Sequence, residues 1–193
     1  MNEILKILNE NAINGFHLKG GTDKADTHSY DKFYSELFSE YKNNNGTLLE
    51  IGAYNGGSTL LWHEYFKNFN IVSIDIINNY AENISNKLNK LRHEFILKDA
   101  YKKSTVKFLK DKYLNGFDII IEDGLHTVET QIFTIKEYFK LLNNNGIMVI
   151  EDIQSEEDAK KIMDLKIKCK SKELIDLRKN KNRYDDLVIV IKK

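Results

Sequence analysis

Hydrophobic and polar positions follow two periods along this chain. Short apolar runs at Thr47–Ile51, Ile71–Ile76, Glu94–Lys98, Phe117–Ile121 and Gly146–Ile150 have the length and β-branched content of buried strands. Between them, Ser58–Lys67, Ala81–Leu91, Lys103–Tyr113 and Thr127–Leu142 space their apolar residues three and four apart, as helices do. A helix over Glu156–Lys166 follows, then strands Glu173–Leu177 and Leu187–Ile191 joined by the polar stretch Arg178–Asp186. At the start, residues 3–14 and 30–42 have helical period. They are separated by the stretch Gly15–Ser29, and Asn43-Asn-Asn-Gly46 is a turn. Alternation of strand and helix implies parallel strands joined by right-handed crossovers. The expected class is therefore α/β, a Rossmann-like, doubly wound, seven-stranded and mostly parallel sheet with an N-terminal helical extension. No repeat or long linker divides the 193 residues, so one domain over 1–193 is expected, with 1–46 as the N-terminal segment and 47–193 as the core.

Composition acts mainly by exclusion. Hydrophobic residues make up 41% of the chain, enough for a buried core. Lys plus Arg equals Asp plus Glu at 29 each, so no net field favours a polyanion, and no nucleic-acid partner is expected. No apolar run reaches the roughly 18 residues of a membrane span. The start, Met1-Asn-Glu-Ile-Leu-Lys-Ile-Leu, mixes charge into a short amphipathic stretch with no signal-like apolar region. The expectation is a cytoplasmic protein with no membrane partner. Cys169 is alone in a Lys-rich stretch, which excludes an internal disulfide and gives a metal no second thiolate.

Two sets of residues carry chemistry. The first is the turn Leu48-Leu-Glu50-Ile-Gly52-Ala-Tyr54-Asn-Gly56-Gly57-Ser58, which follows a strand and opens a helix, so that its glycines let a ligand approach the backbone. A dinucleotide fingerprint needs a second glycine where Tyr54 stands, and Tyr54 crowds the place of a pyrophosphate. Glu50 suits a cationic ligand instead, and S-adenosyl-L-methionine carries both an ammonium and a sulfonium. Asp75 ends the second strand at a spacing suited to a ribose diol, and Asp99 ends the third, where an adenine amino group would lie. The second set is the pair of clusters Glu122-Asp123-Gly-Leu-His126 and Glu151-Asp152, each ending an apolar run. If their strands are neighbours, the acids converge about 5 Å apart at the ligand-binding edge. Such oxygen donors suit Mg²⁺ or another divalent cation. His126, three residues past Asp123, would point into the same pocket as a base. Plainer readings also fit these residues: Asp123 or His126 as a helix cap, Glu151-Asp152 as a solvated loop, and the glycine turn as common α/β furniture.

On four stretches the sequence resembles the class I S-adenosylmethionine-dependent, metal-dependent sugar O-methyltransferases that tailor macrocin, mycinamicin and novobiocin. These are Gly21-Thr-Asp-Lys24 with His28 and Tyr30, Leu49-Glu-Ile-Gly52, Phe117-Asp-Ile-Ile-Ile-Glu-Asp-Gly-Leu-His126, and Val149-Ile-Glu-Asp-Ile-Gln154. The resemblance implies that Asp123, Glu151 and Asp152 bind magnesium, that His126 is the catalytic base beside Asp123, and that the stretch with Thr22 and Lys24 folds over the cofactor pocket. It implies a small-molecule sugar or glycan acceptor and leaves a homo-oligomer open. The chain departs from the pattern in two ways: Leu125 stands where a small polar residue is common in the family, and the 193 residues do not include the long extra domain of the macrolide enzymes. Three rivals remain. They are a cap ribose 2'-O-methyltransferase, which the neutral charge disfavours, a catechol-type enzyme with an aromatic acceptor slot, and a non-catalytic cofactor-binding subunit.

Overall fold

The computed structural model describes residues 1–193. Its strands are β1 (Gly46–Ile51), β2 (Phe69–Asp75), β3 (His93–Leu97), β4 (Phe117–Glu122), β5 (Leu142–Ile150), β6 (Ser171–Asp176) and β7 (Leu187–Lys192). They form one sheet in the order β3-β2-β1-β4-β5-β7-β6. The first five are parallel, and β7 runs antiparallel to both β5 and β6. The helices are α1 (Glu3–Glu10), α2 (Tyr30–Leu37), α3 (Gly57–Tyr65), α4 (Glu82–Ser85), α5 (Lys103–Lys112), α6 (Val128–Tyr138), α7 (Glu156–Met163) and α8 (Arg178–Lys181). None is long and apolar enough to cross a membrane.

Residue parity along each strand divides the core into two layers. Leu48, Ile119, Ile121, Ile147 and Val149 face the helices α1, α2 and α3, where Tyr30, Tyr34, Phe38, Trp62 and Phe66 pack. Leu49, Ile51, Ile120, Met148 and Ile150 face the other side, against Leu109, Ile135, Tyr138 and Ile162. Because both faces are covered, these strands read as continuous apolar runs rather than alternating ones. The helices start on local signals. Asn2, Thr127 and Ser155 each cap a helix by accepting a backbone N–H, and Glu156, Glu157 and Asp158 complement the dipole of α7.

Several elements are shorter than their periodicity suggests. The Ala81–Leu91 stretch forms helix only over Glu82–Ser85, and Asn89 accepts the Leu91 N–H in a local turn that competes with helix. The first helix stops at Asn11, and Ala12 has a left-handed backbone with φ 56°. The Thr127–Leu142 stretch divides into α6 and a 3₁₀ turn at Phe139–Leu141, and β5 takes up Leu142 itself. The connection Arg178–Asp186 contains the short α8, ended by Asn182 in the left-handed region.

The register aligns the carboxyl ends of the central strands. Glu122 pairs with Ile150, and the ladder continues past the strand ends, with Glu151 N–H donating to Glu122 O at 3.0 Å and Asp123 N–H to Ile51 O at 2.9 Å. Gly52 N–H donates to Ile74 O at 3.0 Å and Lys98 N–H to Asp75 O at 2.9 Å. Asp75, Asp123 and Glu151 therefore emerge along one edge, as the βαβ reading of β4, α6 and β5 requires.

Candidate active site at the carboxyl edge

The turn after β1 is built around Gly52, whose φ is +91° and whose missing Cβ would lie 2.0 Å from the Asp123 carbonyl oxygen. No side chain fits between those two strand ends. Above them lies a cavity of about 270 Å³ lined by Gly52, Tyr54, Asp75, Asp99, Tyr101 and Leu125 among others. Asp75 is fixed there, accepting the Tyr54 N–H at 2.9 Å and the Ile76 N–H at 2.7 Å. Asp99 accepts the Tyr101 N–H at 2.9 Å. Apolar walls with two carboxylates at the rim match the outline of a nucleoside, whose base is flat and whose hydroxyls and amino group donate. A second cavity of about 240 Å³ shares Gly52, Tyr54, Asp123 and Gly124, and adds Thr22, Asp23, Ser58 and His126.

Glu50 lies elsewhere. It is fully buried under the turn, on the α3 face of β1, where one carboxyl oxygen accepts the Trp62 indole N–H at 2.9 Å and the other accepts from Thr59. It lines neither cavity. Its position at a strand end was legible, but strand alternation gives it the face of Leu48 and points it down into the core. Burial pushes its carboxyl up to about 7.

The two acid clusters do converge, and they enclose a lysine. Lys24, 1% exposed, places its ammonium 2.7 Å from Asp123 Oδ2, 2.5 Å from Glu151 Oε2 and 3.6 Å from Asp23 Oδ1. Burial opposes its charge, but Asp123 and Glu151 outweigh that and hold it well above the usual lysine value. Burial pushes Asp123 and Glu151 up, and Lys24 opposes the shift. Two tyrosines of α2 complete the lining. Tyr30 donates to Asp152 Oδ1 at 2.5 Å, and Tyr34 donates to Glu151 Oε1. Both Glu151 oxygens are thus engaged. Donor atoms of Asp123, His126 and Asp152 lie within 4.8 Å of one another, a spacing that admits a metal ion. His126 Nε2 is 3.8 Å from Asp152 Oδ2, while its buried Nδ1 has no partner. Both residues have a left-handed backbone, with φ 53° at each, which costs about 1–2 kcal/mol per residue and is found at functional turns.

Thr22 and Ser58 therefore stand at the second cavity, Asp75 and Asp99 at the first, and Asp123, Glu151, Asp152 and His126 at the acid centre. Lys24 belongs to that centre and lines neither cavity. The sequence reading did not single out Tyr34 or Asp186, which accepts the Ser29 hydroxyl at 3.0 Å and lies 2.6 Å from His28 Nδ1. Tyr30 and Tyr34 stand i, i+4 on α2 and so share a helix face, a signal available from spacing alone.

A doubly wound sheet of this order, with its seventh strand alone reversed and its ligand edge at β1–β5, defines the class I methyltransferase fold. Residues 49–153, more than half of the chain, match the family model described as a methyltransferase domain, and the chain belongs to that family. It is 27% identical over 148 residues to the 8-demethyl-8-alpha-L-rhamnosyl tetracenomycin-C 2'-O-methyltransferase of Streptomyces olivaceus, covering 73% of this chain and 37% of that protein. It is 26% identical over 133 residues to the mycinamicin VI 2''-O-methyltransferase of Micromonospora griseorubida, covering 65% and 32%. The chain thus spans about a third of the length of these curated relatives. Among solved structures, MycE methyltransferase from the mycinamycin pathway, in complex with Mg, SAH and mycinamycin VI, superposes with a TM-score of 0.62 at 24% identity, over 78% of this chain and 37% of that one. That likeness is one of fold.

Proposed function

We propose that this protein is an S-adenosyl-L-methionine-dependent O-methyltransferase that uses Mg²⁺ or a similar cation and acts on a sugar hydroxyl. The observation that carries the reading is the junction of a nucleoside-sized cavity with an oxygen-rich acid centre, through Asp123 and Gly124, which both cavities share, with His126 in the acid centre and lining the second cavity. Asp75 would hold the ribose diol and Asp99 the adenine amino group, with Thr22 and Ser58 toward the amino-acid end. Relatives that act on sugar-bearing small molecules support the acceptor class.

Asp123 and Asp152 would hold the cation, joined by Glu151 where its oxygens are free, and a bound cation makes a coordinated hydroxyl more acidic. His126 Nε2 takes the hydroxyl proton, and Asp152 faces the imidazolium that results. Bound S-adenosyl-L-methionine would supply the methyl group, its carbon–sulfur bond breaking as the acceptor oxygen bonds to the methyl carbon, so that S-adenosylhomocysteine would be the co-product. Tyr30 and Tyr34 fix the orientation of Asp152 and Glu151 by donating to them.

The test incubates the protein with S-adenosyl-L-methionine and a panel of nucleotide sugars, glycosides and catechols, and weighs products for one added methyl. Transfer to a sugar that stops in excess chelator and returns with Mg²⁺ is the expected result. Transfer to catechols alone would move the acceptor class, full activity in chelator would remove the metal, and no binding of S-adenosylhomocysteine by calorimetry would overturn the whole reading.

A further inference from the structure

The cation position between Asp123 and Glu151 is filled by a side chain of the protein itself. Lys24 comes from the segment 15–29, which is anchored against the cofactor turn. A Cβ at Gly57 would lie 2.4 Å from the Gly21 carbonyl oxygen, and one at Gly21 would lie 1.8 Å from that of Gly15. The segment is therefore seated backbone against backbone three residues before Lys24. From there the ammonium bridges Asp123 Oδ2 and Glu151 Oε2 at 2.7 and 2.5 Å, with the Tyr30 ring 5.8 Å away.

With Lys24 docked, the donors left convergent are those of Asp123, His126 and Asp152. A cation bound by that set uses the His126 nitrogen and removes it as a proton acceptor. Withdrawal of Lys24 would free Asp123 Oδ2 and Glu151 Oε2 beside Asp152, so that three carboxylates could hold the ion and His126 would stay free. We propose that Lys24 is a tethered counter-cation that competes with the divalent ion for Asp123 and Glu151, so that formation of the three-carboxylate site requires its withdrawal. This rests on the metal-dependent reading above. Docked lysine keeps the buried acids neutralised until the ion arrives, and it lowers the apparent metal affinity by the fraction of molecules in which it is docked.

The experiment titrates Mn²⁺ into the full chain, with no acceptor or cofactor, and follows free Mn²⁺ by electron paramagnetic resonance. Lys24→Met should bind Mn²⁺ about tenfold or more tightly than wild type, the factor expected if the docked state dominates by that ratio. Adding Glu151→Gln to Lys24→Met should remove most of the gain, while Glu151→Gln in wild type should change little. A second arm needs no variant of altered charge. In ¹⁵N-lysine-labelled wild type, the Lys24 ammonium resonance, assigned by its loss in Lys24→Arg, should shift on Mg²⁺ addition. That arm decides the matter if the melting curve shows Lys24→Met to be unfolded. Equal or weaker Mn²⁺ binding by folded Lys24→Met, or a Lys24 resonance unmoved at saturating Mg²⁺, overturns the competition and leaves the metal reading intact. Absence of Mn²⁺ binding in every variant overturns both.

Discussion

His126 and Asp152 face each other at 3.8 Å from left-handed turns on adjacent strand ends, so two adjoining connections are shaped to bring one nitrogen against one carboxylate. If that nitrogen takes the hydroxyl proton, His126→Ala should lower kcat by about 10²- to 10⁴-fold, the range for a positioned acid-base group. Calorimetry should show S-adenosylhomocysteine binding unchanged, and a variant within a few-fold of wild type would transfer the role to the metal. Glu50 supports a different expectation, about stability. Burial raises its carboxyl from 4.5 to about 7, so the folded state binds the proton more tightly than the unfolded chain. Its contribution is present below pH 4.5 and is lost as the pH rises to about 7. Denaturant melts at several pH values should show Glu50→Gln flattening that slope and gaining on the order of 3 kcal/mol relative to wild type above pH 7. The contrast between these residues marks what was legible. Asp75, Asp99, Asp123 and Asp152 follow directly from where apolar runs stop, and Glu50 also stands at such an end, but the face it points to depends on strand parity relative to a site still unseen. Lys24 had no signal of burial at all, because its partners lie 99 and 127 positions away.

At the scale of elements, β4, α6 and β5 were readable because their periods change sharply and the acids sit where the strands end. The short helices were not, since asparagine side chains shift the balance from helix to turn by amounts that periodicity does not register. The N-terminal segment was readable only as a covering stretch. Its path depends on two bare backbones meeting at Gly21 and Gly57. Gly57→Ala tests that contact. Alanine favours the first turn of α3 by up to about 1 kcal/mol, but its Cβ would meet the Gly21 oxygen at 2.4 Å. The clash should win, with a net loss of about 1–3 kcal/mol in denaturant melts and faster protease cleavage within residues 15–29. A more stable variant with unchanged cleavage would show that the segment is seated by its side chains instead.

In the whole molecule, the N-terminal helices are part of the core rather than an appendage to it. Tyr34 of α2 and Phe38 just after it pack edge-on against Trp62 of α3, with ring centroids 4.9 and 5.9 Å away, and β7 covers the open side of β5. A fragment confined to residues 49–153 would expose that aromatic layer and leave β5 as a bare edge. It should aggregate or melt without cooperativity while the 193-residue chain melts as one transition, and a soluble fragment with a sharp calorimetric transition would refute this. The packing of α2 also bears on protein engineering. The same helix that fills the space over Trp62 sends its Tyr30 and Tyr34 hydroxyls to Asp152 and Glu151. A chimera that grafts a foreign N-terminus onto this core would exchange the floor of the acid pocket along with the helix, so acceptor range and metal preference would travel with the graft.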